Sequence, residues 1–272
     1  MQNIFFSDLD KTLLMSGFPN EKCVEYKTVL ATYENNILVY EVKNKITFMT
    51  EKGFDLMQEV LKKVLFIPTT MRNLEQTKRI DWIREYNPKY IICSNGCEIY
   101  VNGEKDEDWE AFVRDEISSW RVKQDNDRGR FIEDFEVIEC RNVNGYYFVW
   151  KLDHVITEQD KRVLKLFCPY DFRLQIDGKK VFFLPEKFNK AKAIEFLLEK
   201  YNLKGNIFVA GDSEADREML ELPYVHSFIP KHSKLQLNKK DVYVSENEFL
   251  KGSEDIINEI LKEVNVDSRK EG

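Results

Sequence analysis

Asp8 and Asp10 stand one residue apart where an apolar run, Ile4-Phe5-Phe6, closes, and Thr12 follows two positions later. The run predicts a strand, and the acids emerge at its C-terminal end, where an open α/β sheet places its ligand crevice. Two carboxylates a few ångströms apart repel unless a cation or a shared proton compensates them. The pair therefore points to metal-assisted chemistry. The plain structural alternative is that Asp8 and Asp10 open a turn and Thr12 caps the next helix.

Three further stations along the chain carry groups of the same kind. Residues 64–72, Val-Leu-Phe-Ile-Pro-Thr-Thr-Met-Arg, predict a second apolar strand ending in hydroxyls, with Thr69, Thr70, Met71 and Arg72 at its close. Residues 206–216 predict a third strand, ending in Gly211, Asp212, Ser213 and Asp216. Between them Lys190 and Lys192 stand at the head of an amphipathic helix. Each station alone is weak, because strands often end in polar turns and helices often begin with charges. Their order along one chain is the stronger signal.

Acid pair, hydroxyl, lysine, acid pair, spread from residue 3 to about residue 230, resembles the motif order of the haloacid dehalogenase-like (HAD) phosphohydrolases. The resemblance implies that Asp8 is the nucleophile and Asp10 the general acid/base. Thr70 takes the hydroxyl station, by matching Thr70-Met71-Arg72 to the family's frequent Thr-Gly-Arg, with Thr69 as the fallback. Lys190 takes the lysine station, and Gly211-Asp212-Ser213 with Asp216 is close to the family's Gly-Asp-Ser-x-x-Asp. The implied cofactor is Mg2+, touching the Asp8 carboxylate, the Asp10 main-chain carbonyl and Asp212, with Asp216 nearby directly or through water. Lys11 stands where Gly is usual, and Met71 replaces the Gly of Thr-Gly-Arg. These departures concern loop geometry, since neither removes a functional side chain.

Phosphoryl transfer needs an in-line nucleophile, neutralisation of the phosphoryl oxygens and a proton for the leaving oxygen. A carboxylate at Asp8 can form an aspartyl-phosphate and split hydrolysis into two displacements. Asp10 would serve best with a pKa raised toward neutrality. Thr70 and Lys190 would bind phosphoryl oxygens, and Arg72 either joins them or makes a salt bridge in the core. Lys192 reads as a solvated helix lysine, and Ser213 and Glu214 as supporting or helix-start residues. His154, His226 and His232 are scattered without zinc spacing.

At 272 residues the chain can hold one large or two modest domains. Charged residues at 33% and hydrophobic ones at 43% predict a globular chain. The net charge of -7 argues against a nucleic-acid or anionic-membrane surface. No secretion signal or run of membrane-spanning length is visible. Cys23, Cys93, Cys97, Cys140 and Cys168 form no Cys-x-x-Cys pair and read as the reduced thiols of a cytoplasmic protein.

Strand and helix alternate to about residue 100 and again after residue 188, which predicts an α/β fold with a Rossmann-like, mostly parallel sheet core. Helices are expected over 52–63 and 73–86, with a strand at 90–94 and a terminal helix over 254–264. The interval between reads differently: a helix at 107–122, strands at 131–140 and 145–152, a helix at 157–168, and strands at 171–176 and 179–184. This repeated helix-strand-strand pattern resembles the inserted type-two cap of the Cof-type and sucrose-phosphatase-like HAD branch. The expected domains are a core of 1–105 with 185–272 and an α+β cap of 106–184. Cap residues such as Arg114, Arg121, Lys123, Arg128, Arg130, Arg173, Lys179 and Lys180 are candidate substrate contacts. Between Leu14 and Glu51 the chain is longer than the branch requires. Strands at 24–26, 37–42 and 45–48, with turns at Asn35-Asn36 and Lys43-Asn44, would make either a second small lid or a decorative insertion.

The expected function is Mg2+-dependent hydrolysis of a small phosphorylated metabolite, most plausibly a sugar phosphate by branch resemblance. The alternatives are a phosphomutase or phosphotransferase using the same aspartyl-phosphate, and a non-catalytic phosphate-binding protein.

Overall fold

A computed structural model of the chain describes residues 2–17, 28–30, 46–117, 137–168 and 171–270. In chain order the first elements are β1 (Asn3–Ser7), β2 (Met15–Gly17), β3 (Thr28–Leu30), β4 (Ile46–Thr50), α1 (Glu51–Leu61), β5 (Val64–Pro68), α2 (Leu74–Lys78) and α3 (Asp81–Tyr86). β6 (Tyr90–Cys93), β7 (Glu98–Val101) and β8 (Glu104–Lys105) follow. Helix α4 over 107–117 leads to β9 (Val137–Val143), β10 (Tyr147–Leu152), α5 (Glu158–Phe167), β11 (Phe172–Asp177) and β12 (Lys180–Pro185). The chain continues with α6 (Lys190–Lys200), β13 (Ile207–Ala210), α7 (Arg217–Leu220), β14 (Val225–Ile229), β15 (Val242–Val244) and α8 (Phe249–Lys270). Two compact units result: residues 1–104 with 190–272, and residues 105–189.

The first unit is built on a five-stranded parallel sheet in the order β15-β14-β13-β1-β5. Every residue of β1 and β13 is buried, as expected of parallel strands covered on both faces, which read as continuous apolar runs. The core gathers Phe5, Phe66, Phe208 and Phe228 from the sheet with Ile256, Ile257, Ile260 and Val264 of α8. Phe66 sits 5.5 Å from the Phe5 ring and 5.6 Å from that of Trp82, both tilted, within the spacing that aromatic pairs favour. No helix among the described residues is long and apolar enough to cross a membrane.

The single helix expected over 73–86 is two. α2 starts on a capping box in which Asn73 accepts from the Gln76 amide and the Gln76 side chain accepts from the Asn73 amide. The helix stops at Arg79, and Ile80 turns extended and is fully buried. Burying that side chain outweighs the hydrogen bonds that a continued helix would add. α8 is longer than the 254–264 expected and packs on α1.

β2, β4 and β3 form a separate antiparallel sheet in that order. The strand expected at 45–48 corresponds to β4, whereas those at 24–26 and 37–42, with Asn35-Asn36 and Lys43-Asn44, lie outside the described residues. β2 and β3, three residues each, were not foreseen, since so short a strand carries too few positions for a period of two to show.

In the second unit β11-β12-β10-β9 form one antiparallel sheet, and α4 and α5 precede its two strand pairs. Asn144 and Gly145, at φ 52° and 80°, make the tight turn between β9 and β10. Thr157 caps α5 through a capping box with Asp160. The parts of the expected helix and strand at 118–122 and 131–136 lie outside the described residues.

Candidate active site

β1 lies between β13 and β5, with Ser7 level with Ala210 on one side and Pro68 on the other. The ladder runs one residue further: the Asp8 amide donates to the Ala210 carbonyl at 2.9 Å, and the Thr69 amide to Ser7 at 2.8 Å. Asp8, Thr69 and Gly211 therefore leave the sheet at one level.

Lys190, the first residue of α6, is 1% exposed. Its Nζ donates to Asp8 Oδ1 at 2.7 Å and to Asp216 Oδ1 at 2.6 Å. The other Asp216 oxygen accepts from the Asp212 amide at 3.2 Å, the Ser213 amide at 2.9 Å and the Ser213 hydroxyl at 2.8 Å. Asp216 thus shapes the turn that presents Asp212. Gly211 is required for that approach, because a Cβ there would lie 2.4 Å from Asp216 Cβ. The Ser233 hydroxyl anchors the same turn by donating to the Asp212 carbonyl at 2.7 Å.

Asp8, Asp212 and Asp216 each bring a carboxylate oxygen within 4.8 Å of the others, the one such trio among the described residues. Burial, followed by the neighbouring carboxylates, holds Asp212 well above the usual carboxylate range. Burial also raises Asp8, and Lys190 only partly offsets it. For Lys190, burial opposes the charge, but Asp216 and Asp8 outweigh it and keep the ammonium firmly protonated. Lys190, with the charge of Lys11 reaching Asp212, faces three acids and leaves a surplus of negative charge, and the donors are all hard oxygens. This set fits a hard divalent cation such as Mg2+.

Arg72 faces Asp10. Its Nε donates to Asp10 Oδ2 at 2.7 Å and its Nη2 to Oδ1 at 2.6 Å, a two-pronged ion pair. Partial desolvation by itself would raise Asp10, but the hydrogen bonds and charge of Arg72 hold its carboxyl below the usual range. This direction is opposite to the one expected for Asp10, because the sequence did not reveal that Arg72 would pair with it.

Thr70 is fully buried, and its hydroxyl accepts from the Arg72 amide at 3.1 Å, which leaves its own proton to donate. The Thr69 hydroxyl instead donates back to the Ile67 carbonyl at 3.1 Å. The loop is held by Asn95 and Ser94, whose amides donate to the carbonyls of Thr70 and Arg72. Lys192 pairs with Glu195 on the helix surface, and Glu214 with Arg217.

Thr12 caps no helix. Its hydroxyl lies 3.3 Å from Asp212 Oδ1 and 3.5 Å from Asp8 Oδ2, between the two acids. Lys11 takes the left-handed conformation, φ 65°, which is costly for a residue with a Cβ by roughly 1–2 kcal/mol. Its carbonyl is held at 3.0 Å by His232 Nε2, whose Nδ1 accepts from the Phe249 amide. His154 contacts Asp153 and Asp160, and His226 contacts Glu263. Ser16 and Thr47, which carried no signal in the sequence, reach Asp10 directly or through Arg72. In the second unit, Arg114 is exposed, Arg173 is half-buried and Lys179 donates to the Asp153 carbonyl. Arg121, Lys123, Arg128 and Arg130 lie outside the described residues.

A family model described as sucrose-6F-phosphate phosphohydrolase matches residues 37–258. No curated protein sequence matches the chain significantly. Among solved structures, the sucrose-phosphatase of Synechocystis, determined with sucrose and phosphate, is 16% identical with a TM-score of 0.60, over 97% of this chain and 99% of that one. The C-terminal domain of Candida albicans trehalose-6-phosphate phosphatase is 12% identical with a TM-score of 0.62, over 96% and 92%. A HAD-superfamily phosphatase of Bacteroides thetaiotaomicron is 14% identical with a TM-score of 0.61, over 98% and 96%. At such identities the likeness to these structures is one of fold.

Proposed function

Because the chain belongs to the sucrose-6F-phosphate phosphohydrolase family, a family of HAD-type phosphoric monoester hydrolases, we propose that it hydrolyses a small sugar phosphate in two displacements at Asp8. The observation that carries this reading is the meeting of Asp8 and Asp216 on buried Lys190, beside Asp212, at the carboxyl ends of two adjacent parallel strands.

Asp8 attacks phosphorus, and the bond from phosphorus to the leaving oxygen breaks with its electron pair staying on that oxygen. Asp10 supplies the proton that neutralises it, then takes one from the water that cleaves the aspartyl-phosphate. A phosphate dianion beside Asp8 adds negative charge near Asp10, which moves Asp10 upward from its depressed pKa while the Arg72 fork keeps its place. Lys190 holds Asp8 in place and faces the phosphoryl oxygens, which the free proton of the Thr70 hydroxyl also suits. Mg2+ would be held by Asp8, Asp212 and the Asp10 main-chain carbonyl, and when bound it neutralises charge on the phosphoryl group. Asp216, which accepts from Lys190, the Asp212 amide and Ser213, takes an indirect part in this reading by holding Lys190 and the turn of Asp212. Residues 105–189 serve in this reading as the cap that recognises the sugar. In this reading the setting is a reducing, cytoplasmic one, in which the thiols of Cys93, Cys97, Cys140 and Cys168 would stay reduced.

The test is phosphate release from sucrose 6F-phosphate, trehalose 6-phosphate and glucose 6-phosphate, with Mg2+ and with a chelator. Release should require Mg2+, and Asp8→Asn should lower kcat by roughly 10³-fold or more. Turnover on none of the esters would refute the hydrolytic reading. Substantial turnover by Asp8→Asn, with the amide shown intact by mass spectrometry, would remove Asp8 as nucleophile.

A further inference from the structure

The segment between Leu14 and Glu51 contributes two hydroxyls to a closed ring of side chains around Asp10. Ser16 of β2 lies directly across from Thr47 of β4, and their hydroxyls are 3.1 Å apart. Arg72 Nη2 donates to Thr47 Oγ1 at 3.3 Å, and Ser16 Oγ donates to Asp10 Oδ1 at 3.4 Å. Every proton in the ring then has one consistent direction. Arg72 donates to Thr47, Thr47 to Ser16, and Ser16 to Asp10, while the Arg72 fork closes the ring on the Asp10 carboxylate.

Strand alternation explains why these hydroxyls face the acid. The neighbouring cross-strand pair, Met15 and Phe48, is buried in a cluster with Leu250 of α8. With a period of two, Ser16 and Thr47 are turned to the opposite face. Leu250 and its partners thus fix the orientation of the small sheet, and a one-residue slip would remove both hydroxyls from the ring.

Asp10 needs such a frame more than Asp8 does. The Asp10 side chain is 42% exposed, and among the described residues its charged partner is Arg72, itself 15% exposed, where Asp8 has the fully buried Lys190. An acid free to change rotamer spends only part of its time within reach of a leaving oxygen, and an ångström of misplacement is expensive in rate. Hydrogen bonds in a connected ring reinforce one another.

We propose that Ser16 and Thr47, acting with Arg72, are positioning residues for Asp10, so that the inserted small sheet is part of the catalytic apparatus. The inference rests on the reading of Asp10 as the general acid. It names residues outside the four motif stations, on a segment that could otherwise be a decorative insertion.

The test compares two small aryl esters that differ in how much the leaving group needs a proton: phenyl phosphate, which does, and 2,4-dinitrophenyl phosphate, which does not. kcat/KM is measured with Mg2+ for the wild type, Asp10→Asn, Ser16→Ala, Thr47→Val and Thr47→Ser. Asp10→Asn should lose phenyl phosphate selectively, by something within the roughly 10²–10⁴-fold that a general acid contributes. Ser16→Ala and Thr47→Val should lose about tenfold on phenyl phosphate and under about twofold on the dinitrophenyl ester, a fraction of that same contribution. Thr47→Ser, which keeps the hydroxyl, should recover most of the loss. If Thr47→Val does not fold, the more exposed Ser16→Ala decides. Equal losses on both esters, or no loss on phenyl phosphate, would overturn the ring's role while a selective Asp10→Asn left the acid assignment standing. Loss on both esters alike in Asp10→Asn would instead overturn that assignment, and the inference with it.

Discussion

Asp216 has no oxygen to spare. One is bound by Lys190, the other by the Asp212 amide and both donors of Ser213, so it organises two stations at once. Its position in turn depends on the missing side chain of Gly211. Gly211→Ala would place a Cβ 2.4 Å from Asp216 Cβ, closer than any relaxed contact, and Asp216 would have to move. We expect a loss of stability of about 1–3 kcal/mol from overpacking. We also expect kcat/KM to fall about 100-fold as Lys190 and Asp212 lose their frame. Urea denaturation and steady-state kinetics on phenyl phosphate check the two effects, and wild-type behaviour in both would show that the site does not depend on this contact.

At the scale of elements, Thr50 joins the small sheet, the first helix and the last. Its hydroxyl accepts from the Gly53 amide as the N-cap of α1 and donates to Glu254 Oε1 of α8 at 2.7 Å. Glu254 is itself nearly buried, with a side chain 4% exposed. Replacement by Val removes a cap, worth about 1 kcal/mol, and takes a partner from a buried carboxylate, worth a further roughly 1–3 kcal/mol. Thr50→Val should therefore lower the urea midpoint without changing the slope, while kcat/KM on phenyl phosphate stays close to wild type. An unchanged midpoint would mean that Lys251 and Lys52, which also reach Glu254, satisfy it alone.

The whole molecule divides its chain between a parallel-sheet unit, which carries every acid of the candidate site, and residues 105–189, an antiparallel sheet with its helices. If the second unit reads the sugar, its charges should matter to substrates with a sugar and not to substrates without one. Arg173→Ala, on β11, should lower kcat/KM for the preferred sugar phosphate by roughly tenfold or more, the scale of one lost charge-assisted hydrogen bond. Phenyl phosphate should be little affected. Equal losses on both substrates would take Arg173 out of sugar recognition, and the same comparison on Arg114→Ala would then decide whether Arg114 contributes.

The sequence by itself determined which chemical groups could act and in what order along the chain they come. Residue type is local, and an apolar run ending in Asp8, or a glycine ahead of Asp212, reports a strand end and a turn without knowledge of anything distant. The alternation of strands and helices was legible for the same reason, and with it the α/β class. Which atoms meet was decided only by tertiary structure. Lys190 reaches Asp8 across 182 positions and Asp216 across 26, because the register of β1 with β13 sets Asp8 beside the turn of Asp216 and α6 packs on α7, which follows that turn. Arg72 reaches Asp10 across 62 positions. The choice between Thr69 and Thr70 likewise turns on where each hydroxyl points, which a Thr-Thr dipeptide does not reveal. The frame of Ser16 and Thr47 lies on strands too short for periodicity to register, held in place by the burial of Met15 and Phe48 against Leu250. Hydrogen-bond partners are settled by the packing of remote apolar surface, and that packing is a property of the folded chain.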